Sequence, residues 1–534
     1  MAGVAVAALI IPKNLGYAGI AGIPLQNGLY AAAVAAVLYA IFGTCRQISM
    51  GPSSGLAAVA ASAVLAAGLT DPGQTAVFVA GVTLVSGLLF LILAIARLSW
   101  IAQFLSRAVV TGFLFGAAID VVIGELPKLT GTDASGPNAL RELWSWLGSL
   151  SAAHGLTAVV GIIALMVVFG LRRIAPRVPG ALALVVGGLL ANWIFGLAER
   201  GVAIVGDIPS GLPRLTVPDA GLLLAHLDTV LTAAVALLLI GFSQTAGDAR
   251  AFAAKHRYQI DINQESVAQA LANTGAGLFQ GMPVSTSLSA SSLNDHSGAR
   301  SGLASIISGV TVLLTLLFLA PLFSGLPKPV LAALIIEAVV MGMMDVAEMR
   351  RLARVQRFDF WVAVTAIVAT LLVGVLAGVV VGVALSLLWL IAVTTRPHLP
   401  QLGRRRGTTA YRDIEAHPDD ELVPGIVVLR VDSGLFFATA DAVEDRAREL
   451  ILERTDLTGF VLDCEGMNMI DAQGSAEVAA IARLTQEAGL ELRLARVKTA
   501  VAAVLDRDGV LDLLGREHLH SSVDQAVQAQ QARS

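Results

Sequence analysis

The sequence predicts an α-helical membrane protein that ends in a small soluble α/β domain. Three observations carry this. The chain of 534 residues is 56% hydrophobic and only 14% charged, with a mean hydropathy of +0.75, whereas soluble domains carry about 25% charged residues. Apolar stretches of about 20 residues, the length that crosses a bilayer, recur from the first residues to about position 395. After Arg396 the composition changes abruptly to a soluble pattern.

Taken in order, spans are predicted near 2–21, 27–43, 74–96, 102–124, 155–173, 179–197, 228–248, 264–280, 302–322, 328–345, 358–376 and 377–395. Two shorter segments, about 53–68 and 287–300, begin in Gly/Pro/Ser-rich stretches, and counting them gives 14 segments. With that count, Arg46, Arg97, Arg172, Arg173, Arg177, Arg250, Lys255, Arg257, Arg350, Arg351, Arg354 and Arg357 fall in alternate loops on one side. The other side carries Lys128, Arg141, Arg200, Arg214 and Lys328. The positive-inside rule places the richer set, and with it both termini, in the cytoplasm. The first helix starts almost at Met1, so the start is expected to be truncated or to lack the usual cytoplasmic leader. No basic region precedes residues 1–11, which argues against a signal peptide.

Residues 401–406 are basic and 415–421 acidic, so 397–424 is read as a linker between a membrane domain, 1–396, and a soluble domain, 425–534. In the latter, Ile426–Val431, Phe460–Cys464 and Leu490–Val497 read as strands, and Ala440–Arg454 and Gly474–Ala488 as helices. This alternation indicates a parallel or mixed sheet. A net charge of −4 gives no reason to expect nucleic acid. Cys45 and Cys464 are the only cysteines, which excludes a disulfide framework and a four-cysteine metal site. The sequence has no phosphate loop, nucleophile elbow or metal-ligand cluster, so neither an enzyme nor a cofactor is expected.

The two broken segments are the most informative part. One begins Gly51-Pro52-Ser53-Ser54-Gly55, the other Pro283-Val284-Ser285-Thr286-Ser287-Leu288-Ser289-Ala290-Ser291-Ser292. Gly and Pro interrupt the helix, and Ser side chains can satisfy the freed backbone groups. Such segments at matching positions of two halves mark an inverted-repeat transporter. Each half-helix would point its N-terminus, with roughly half a positive charge, at the middle of the membrane. Two such ends facing one cavity make an anion site. The competing reading is a Ser/Gly packing seam.

Charges inside spans are costly and often functional. Lys13 and Tyr17 are four residues apart and share a helix face, as do Gln244 and Asp248. Both faces are expected to line the cavity: Lys13 supplying positive charge, Tyr17 an aromatic wall with a hydroxyl, Gln244 a neutral hydrogen bond, and Asp248 the titratable group. The alternatives are a snorkelling Lys13 and an Asp248 paired with Arg250 or Lys255 at the surface. Asp120 and Glu337 have no partner visible in sequence and are expected to pair with each other or with a basic group across the bundle.

Several ordered motifs resemble one family. Pro12-Lys13-Asn14-Leu15-Gly16-Tyr17-Ala18, with Ala21-Gly22-Ile23-Pro24 and Gly28-Leu29-Tyr30, resembles the first signature of the sulfate permease family, solute carrier family 26. Gly51-Pro52-Ser53 is similar to the start of its third helix, Asp261-Ile262-Asn263-Gln264-Glu265 with Ala272-Asn273 to its ninth-helix motif, and Asn294 with Gly298-Ala299-Arg300-Ser301 to the end of its tenth. Residues 460–475 resemble the core of the STAS domain that ends these proteins. The resemblance implies two inverted seven-segment repeats shared with the uracil permeases. A core domain (segments 1–4 and 8–11) moves against a gate domain (segments 5–7 and 12–14), typically in a homodimer.

It further implies elevator-like secondary active transport of a small anion across the plasma membrane. Sulfate comes first, then bicarbonate or a dicarboxylate, with a proton or sodium as coupling ion. An anion channel or uncoupled exchanger is the alternative. The substrate residues are expected to be Lys13, Tyr17, Pro52, Ser53, Ser54, Gln244, Ser287, Ser289, Ala290 and Ser291, and the coupling residues Asp248, Asp120 and Glu337. The sequence departs from the family where Gln244 replaces the usual acid, Ala290 a frequent arginine and Lys13 a usual glutamine. Asp248 is expected to take over from the acid and Lys13 to restore the charge that Ala290 lacks. In the STAS motif, Asp471 is followed by Ala472, and the first hydroxyl is Ser475, so switching by phosphorylation at that turn is not expected.

Overall fold

Each apolar run becomes a helix, and the polar breaks between runs become its ends. In the computed structural model, which describes residues 1–98, 106–136, 138–175, 178–454 and 456–533, the chain forms two compact units, Met1–Ser386 and Leu387–Ser534.

The first half of the membrane unit is α1 (Ala2–Ile20), α2 (Leu25–Phe42), the short strand β1 (Met50–Pro52), α3 (Ser54–Ala66), α4 (Pro72–Ile95), α5 (Arg107–Thr130), α6 (Ala139–Ser149), α7 (Gly155–Ile174) and α8 (Gly180–Phe195). The second half is α9 (Ala220–Ala225), α10 (Leu227–His256), α11 (Ile262–Leu278), β2 (Val284–Thr286), α12 (Leu288–His296), α13 (Leu303–Phe318), α14 (Lys328–Met343), α15 (Val346–Val355), α16 (Arg357–Val373) and α17 (Val375–Thr394). Setting aside α6, α9 and α15, fourteen described helices stand where the sequence places its fourteen segments, seven in each half. The start of the span predicted at 102–124 and Arg177 of the basic set lie outside the described residues. α10 runs eight residues past its predicted end at 248. The helix α15 carries Arg350, Arg351 and Arg354 and is polar overall.

Small residues let the helices approach closely, as membranes require where hydrophobic burial gives little drive. A Cβ on Gly277 of α11 would stand 2.7 Å from the Ala80 carbonyl of α4, and one on Gly112 of α5 would stand 2.4 Å from the Ala363 carbonyl of α16. The third segment of each half is short, α3 with 13 residues and α12 with nine. Just before each lies a strand, and β1 and β2 pair antiparallel, Met50 opposite Thr286 and Pro52 opposite Val284. The breaks therefore satisfy much of their backbone by pairing with each other across the halves, not by serine side chains alone.

In the second unit, β5 (Ile426–Arg430), β6 (Gly459–Asp463), β7 (Glu491–Ala495) and β8 (Leu519–His520) form a parallel sheet in that order. The helices α18 (Ala440–Leu452) and α19 (Ala472–Glu487) cover it, with α20 (Thr499–Arg507), α21 (Val510–Leu514) and α22 (Val523–Gln531) after β7. Val427, Leu429, Phe460, Leu462, Val478 and Ile481 form part of its core. The stretch 397–424 carries a hairpin, β3 (Leu402–Arg404) with β4 (Tyr411–Asp413), and Gln401 bridges to Leu429 of the sheet. Asp471 caps α19, accepting from Gly474 N at 2.8 Å and from Phe437 N at 3.0 Å. The Gly474 amide in particular holds this carboxyl below its usual range. Ser475, directly inside that helix, is fully buried.

Candidate anion site

The β1–β2 ladder sets the site. Its far ends lead directly into α3 and α12, so both helix N-termini converge on one place. The ladder is clamped from three sides. The Asn273 amide of α11 donates to Val284 O and its carbonyl accepts from Val284 N, both at 3.0 Å. Ser291 Oγ accepts from Ser49 N at 2.9 Å, Asn294 donates to Gln47 O at 3.1 Å, and Ser305 donates to Ile48 O at 3.0 Å. Non-helical backbone at membrane depth needs such partners. One step further out, the fully buried Glu265 accepts from Tyr39 and from the hydroxyl and amide of Thr44, which fixes the turn leading into β1.

A cavity of about 330 Å³ opens beside the ladder. Of the sequence-predicted residues, it is lined by Lys13, Tyr17, Ser53, Ser54, Gln244, Asp248, Ser287 and Ser289. Lys13 donates to Ser289 Oγ at 3.3 Å. Gln244 Oε1 accepts from Ser285 and Asp248 Oδ2 from Thr286, both at 2.7 Å, so successive residues of β2 bond successive turns of α10. Lys255, one of the two surface partners in the alternative reading of Asp248, pairs with Asp295 at 2.6 Å. Ser53 caps α3, whereas no side chain caps α12 at Ser287.

The remaining predicted residues lie elsewhere. Pro52 is buried in the ladder opposite Val284. Ala290 packs into an apolar cluster with Val6, Ile10 and Leu29, because one step along α12 turns its side chain away from the cavity. Ser291 faces the same interior and acts on Ser49. Asp120 does not line the cavity and has Glu142 as its charged neighbour. Glu337 is not a wall residue either, but it pairs with one: Arg172 Nη1 donates to Glu337 Oε1 at 3.0 Å, and Arg172 lines the cavity. Sequence reasoning missed Arg172, Thr286, Gly55, Leu114, Leu288, Ala338 and Met341–Met343 of the lining. In sequence Arg172 belongs with Arg173 to the basic set of the alternate loops, whereas the structure places it in the last turn of α7, at the cavity wall.

Comparison with known proteins bears on this arrangement. The sulfate permease family profile matches residues 1–366, and the STAS domain profile matches 417–526. The chain belongs to the sulfate permease family. It is a multi-pass membrane transporter of anions, not an enzyme. Among similar relatives is a probable sulfate transporter of Mycobacterium tuberculosis, 33% identical over 530 residues, covering 99% of this chain and 94% of the relative. The chloroplastic sulfate transporter 4.1 of Arabidopsis thaliana is 30% identical over 552 residues, covering 99% of this chain and 79% of its own. The fold matches that of the murine solute carrier 26 family member A9 anion transporter in the inward-facing state, with a TM-score of 0.90 at 20% identity over 99% of this chain and 90% of that one. The transmembrane domain of the cyanobacterial bicarbonate transporter BicA matches with a TM-score of 0.62 at 22% identity, over 71% of this chain and 95% of that one.

Proposed function

We propose that this chain is a secondary active carrier of sulfate across the plasma membrane, coupled to a proton through Asp248. The observation that carries the reading is the single cavity that receives two half-helix N-termini, Lys13 and Asp248. Charge supports a divalent cargo. Lys13 and Arg172 offset Glu337 and an ionised Asp248, and the two helix ends leave about +1. Protonating Asp248 raises this to about +2, so a divalent anion binds best together with a proton. The names of the curated relatives point to sulfate as well. Arg172 borders the cavity and belongs to the basic set that the positive-inside rule places in the cytoplasm, which supports a cavity open to that side and cytoplasmic termini. The family resemblance supports a homodimer in which the ladder and its half-helices move as a core against α5, α7, α8, α14, α16 and α17.

The test is labelled sulfate uptake into liposomes with and without an inward proton gradient, for wild type and Asp248→Asn. Gradient-driven uptake in wild type that turns gradient-independent in the variant is expected. Uptake indifferent to the gradient in both would remove Asp248 from coupling and leave an exchanger or channel. Absence of sulfate uptake would redirect the substrate to bicarbonate or a dicarboxylate.

A further inference from the structure

Arg172, on the cavity wall, and Glu337, its partner behind it, enter that reading only through their charges. Arg172 lies in the last turn of α7 and Glu337 in the middle of α14. The Glu337 side chain is 9% exposed and that of Arg172 54%. Their contact at 3.0 Å is the hydrogen bond that the Arg172 side chain makes among the described residues. A guanidinium has five donors in a planar fork suited to oxyanions, so most of that capacity is unused. Arg172 also shares the cavity wall with Lys13. The charge of Glu337 acts on both Lys13 and Tyr17, and that of Arg172 acts on Lys13.

A buried carboxylate that holds a cavity arginine, and whose field reaches the cavity lysine, has the chemistry of an anion that the protein carries with it. We propose that Arg172 is a second anion-binding group on the wall facing the half-helices, and that Glu337 is a tethered competitor which the incoming oxyanion displaces from it. This rests on the reading of the cavity as a substrate site. The competing possibility is a plain structural bridge between α7 and α14, which pack together. The two make opposite predictions. Losing either partner of a structural bridge harms the protein in the same direction. Losing a competitor and losing its target move anion affinity in opposite directions.

The experiment compares wild type, Arg172→Gln, Glu337→Gln and the double variant as full chains. Sulfate binding is read from the concentration of sodium sulfate that half-maximally raises Tm at constant ionic strength, and transport from sulfate uptake into liposomes. The half-saturating concentration is expected to fall about three- to tenfold in Glu337→Gln and to rise about tenfold in Arg172→Gln, the range that one charge-assisted hydrogen bond supplies. The double variant is expected within about threefold of wild type. Arg172→Lys, which keeps the charge without the fork, is expected between wild type and Arg172→Gln. Equal midpoints in all four proteins, shifts of one sign in both single variants, or no stabilisation by sulfate in any of them would overturn the proposal. Ordered binding with no uptake by wild type would sink the transport reading and leave the binding pair standing.

Discussion

At the scale of single residues, the site divides into groups that face the cavity and groups that hold those in place. The first kind was legible in sequence because polarity inside an apolar span is conspicuous: Lys13, Tyr17, Gln244 and Asp248 each stand out within or at the end of a largely apolar run. Arg172 was not legible, since an arginine at the end of a span is normally a topology signal and nothing in sequence tells it from Arg173. Ala290 and Ser291 are expected at the cavity from the family resemblance, which puts an arginine and a serine there, but on α12 one residue advances the side chain by about 100°, and both are buried away from the cavity lining. Asn273 belongs to the holding kind. It bonds both polar groups of Val284, and Gln269 Nε2 also reaches Val284 O at 3.4 Å, so Asn273→Ala would leave the buried Val284 amide unpaired, at about 1–3 kcal/mol. The expected result is a clear drop in thermal stability of the purified protein together with loss of anion binding. A normal Tm with normal binding would show that the ladder holds without this clamp.

At the scale of elements, long apolar helices and the alternation of strand and helix after residue 425 were readable because burial imposes a period. The β1–β2 ladder was not. Three residues carry too little pattern, and Gly51 and Pro52 argue against a strand when the partner lies more than 230 positions away. The helices α6 and α15 escaped because they are amphipathic and short. Two predictions belong here. Gly277→Val would place side-chain atoms against the Ala80 carbonyl and Leu84 backbone of α4, and overpacking of this kind typically costs about 1–3 kcal/mol. A lowered Tm is expected, and an unchanged one would mean that α4 and α11 separate freely. In the soluble unit, Asp471→Ala removes the cap of α19, a loss of about 1 kcal/mol in general. Because the folded carboxyl titrates below its unfolded value near 3.9, its contribution is complete above about pH 4 and fades as pH falls through the depressed folded value. Amide exchange at Gly474 and Phe437 should therefore differ between wild type and variant at neutral pH and converge in acid.

At the scale of the molecule, the division into a membrane part and a soluble α/β part was legible from hydropathy, the count of fourteen segments needed the two Gly/Pro/Ser-rich breaks as well, and the STAS character of the soluble part rested on the motif at 460–475. The joining of the two halves was not, because it is made by backbone and by residues such as Asn294 and Glu265, whose sequence context gives no hint of their partners. That joining has an electrical consequence. The antiparallel ladder sends α3 and α12 away from the site in opposite directions, so their dipoles oppose each other across the membrane. Under the carrier function proposed above, in which the site moves as one body, the helix ends contribute almost no net displacement of charge, and only side chains and cargo do electrical work, about 2.3 kcal/mol per elementary charge per 100 mV. With Asp248 protonated, Lys13 and a divalent anion leave one negative charge on the loaded site, so a potential set by potassium and valinomycin should speed or slow sulfate entry as for a single charge. A steeper dependence would mean that the half-helices do not travel together.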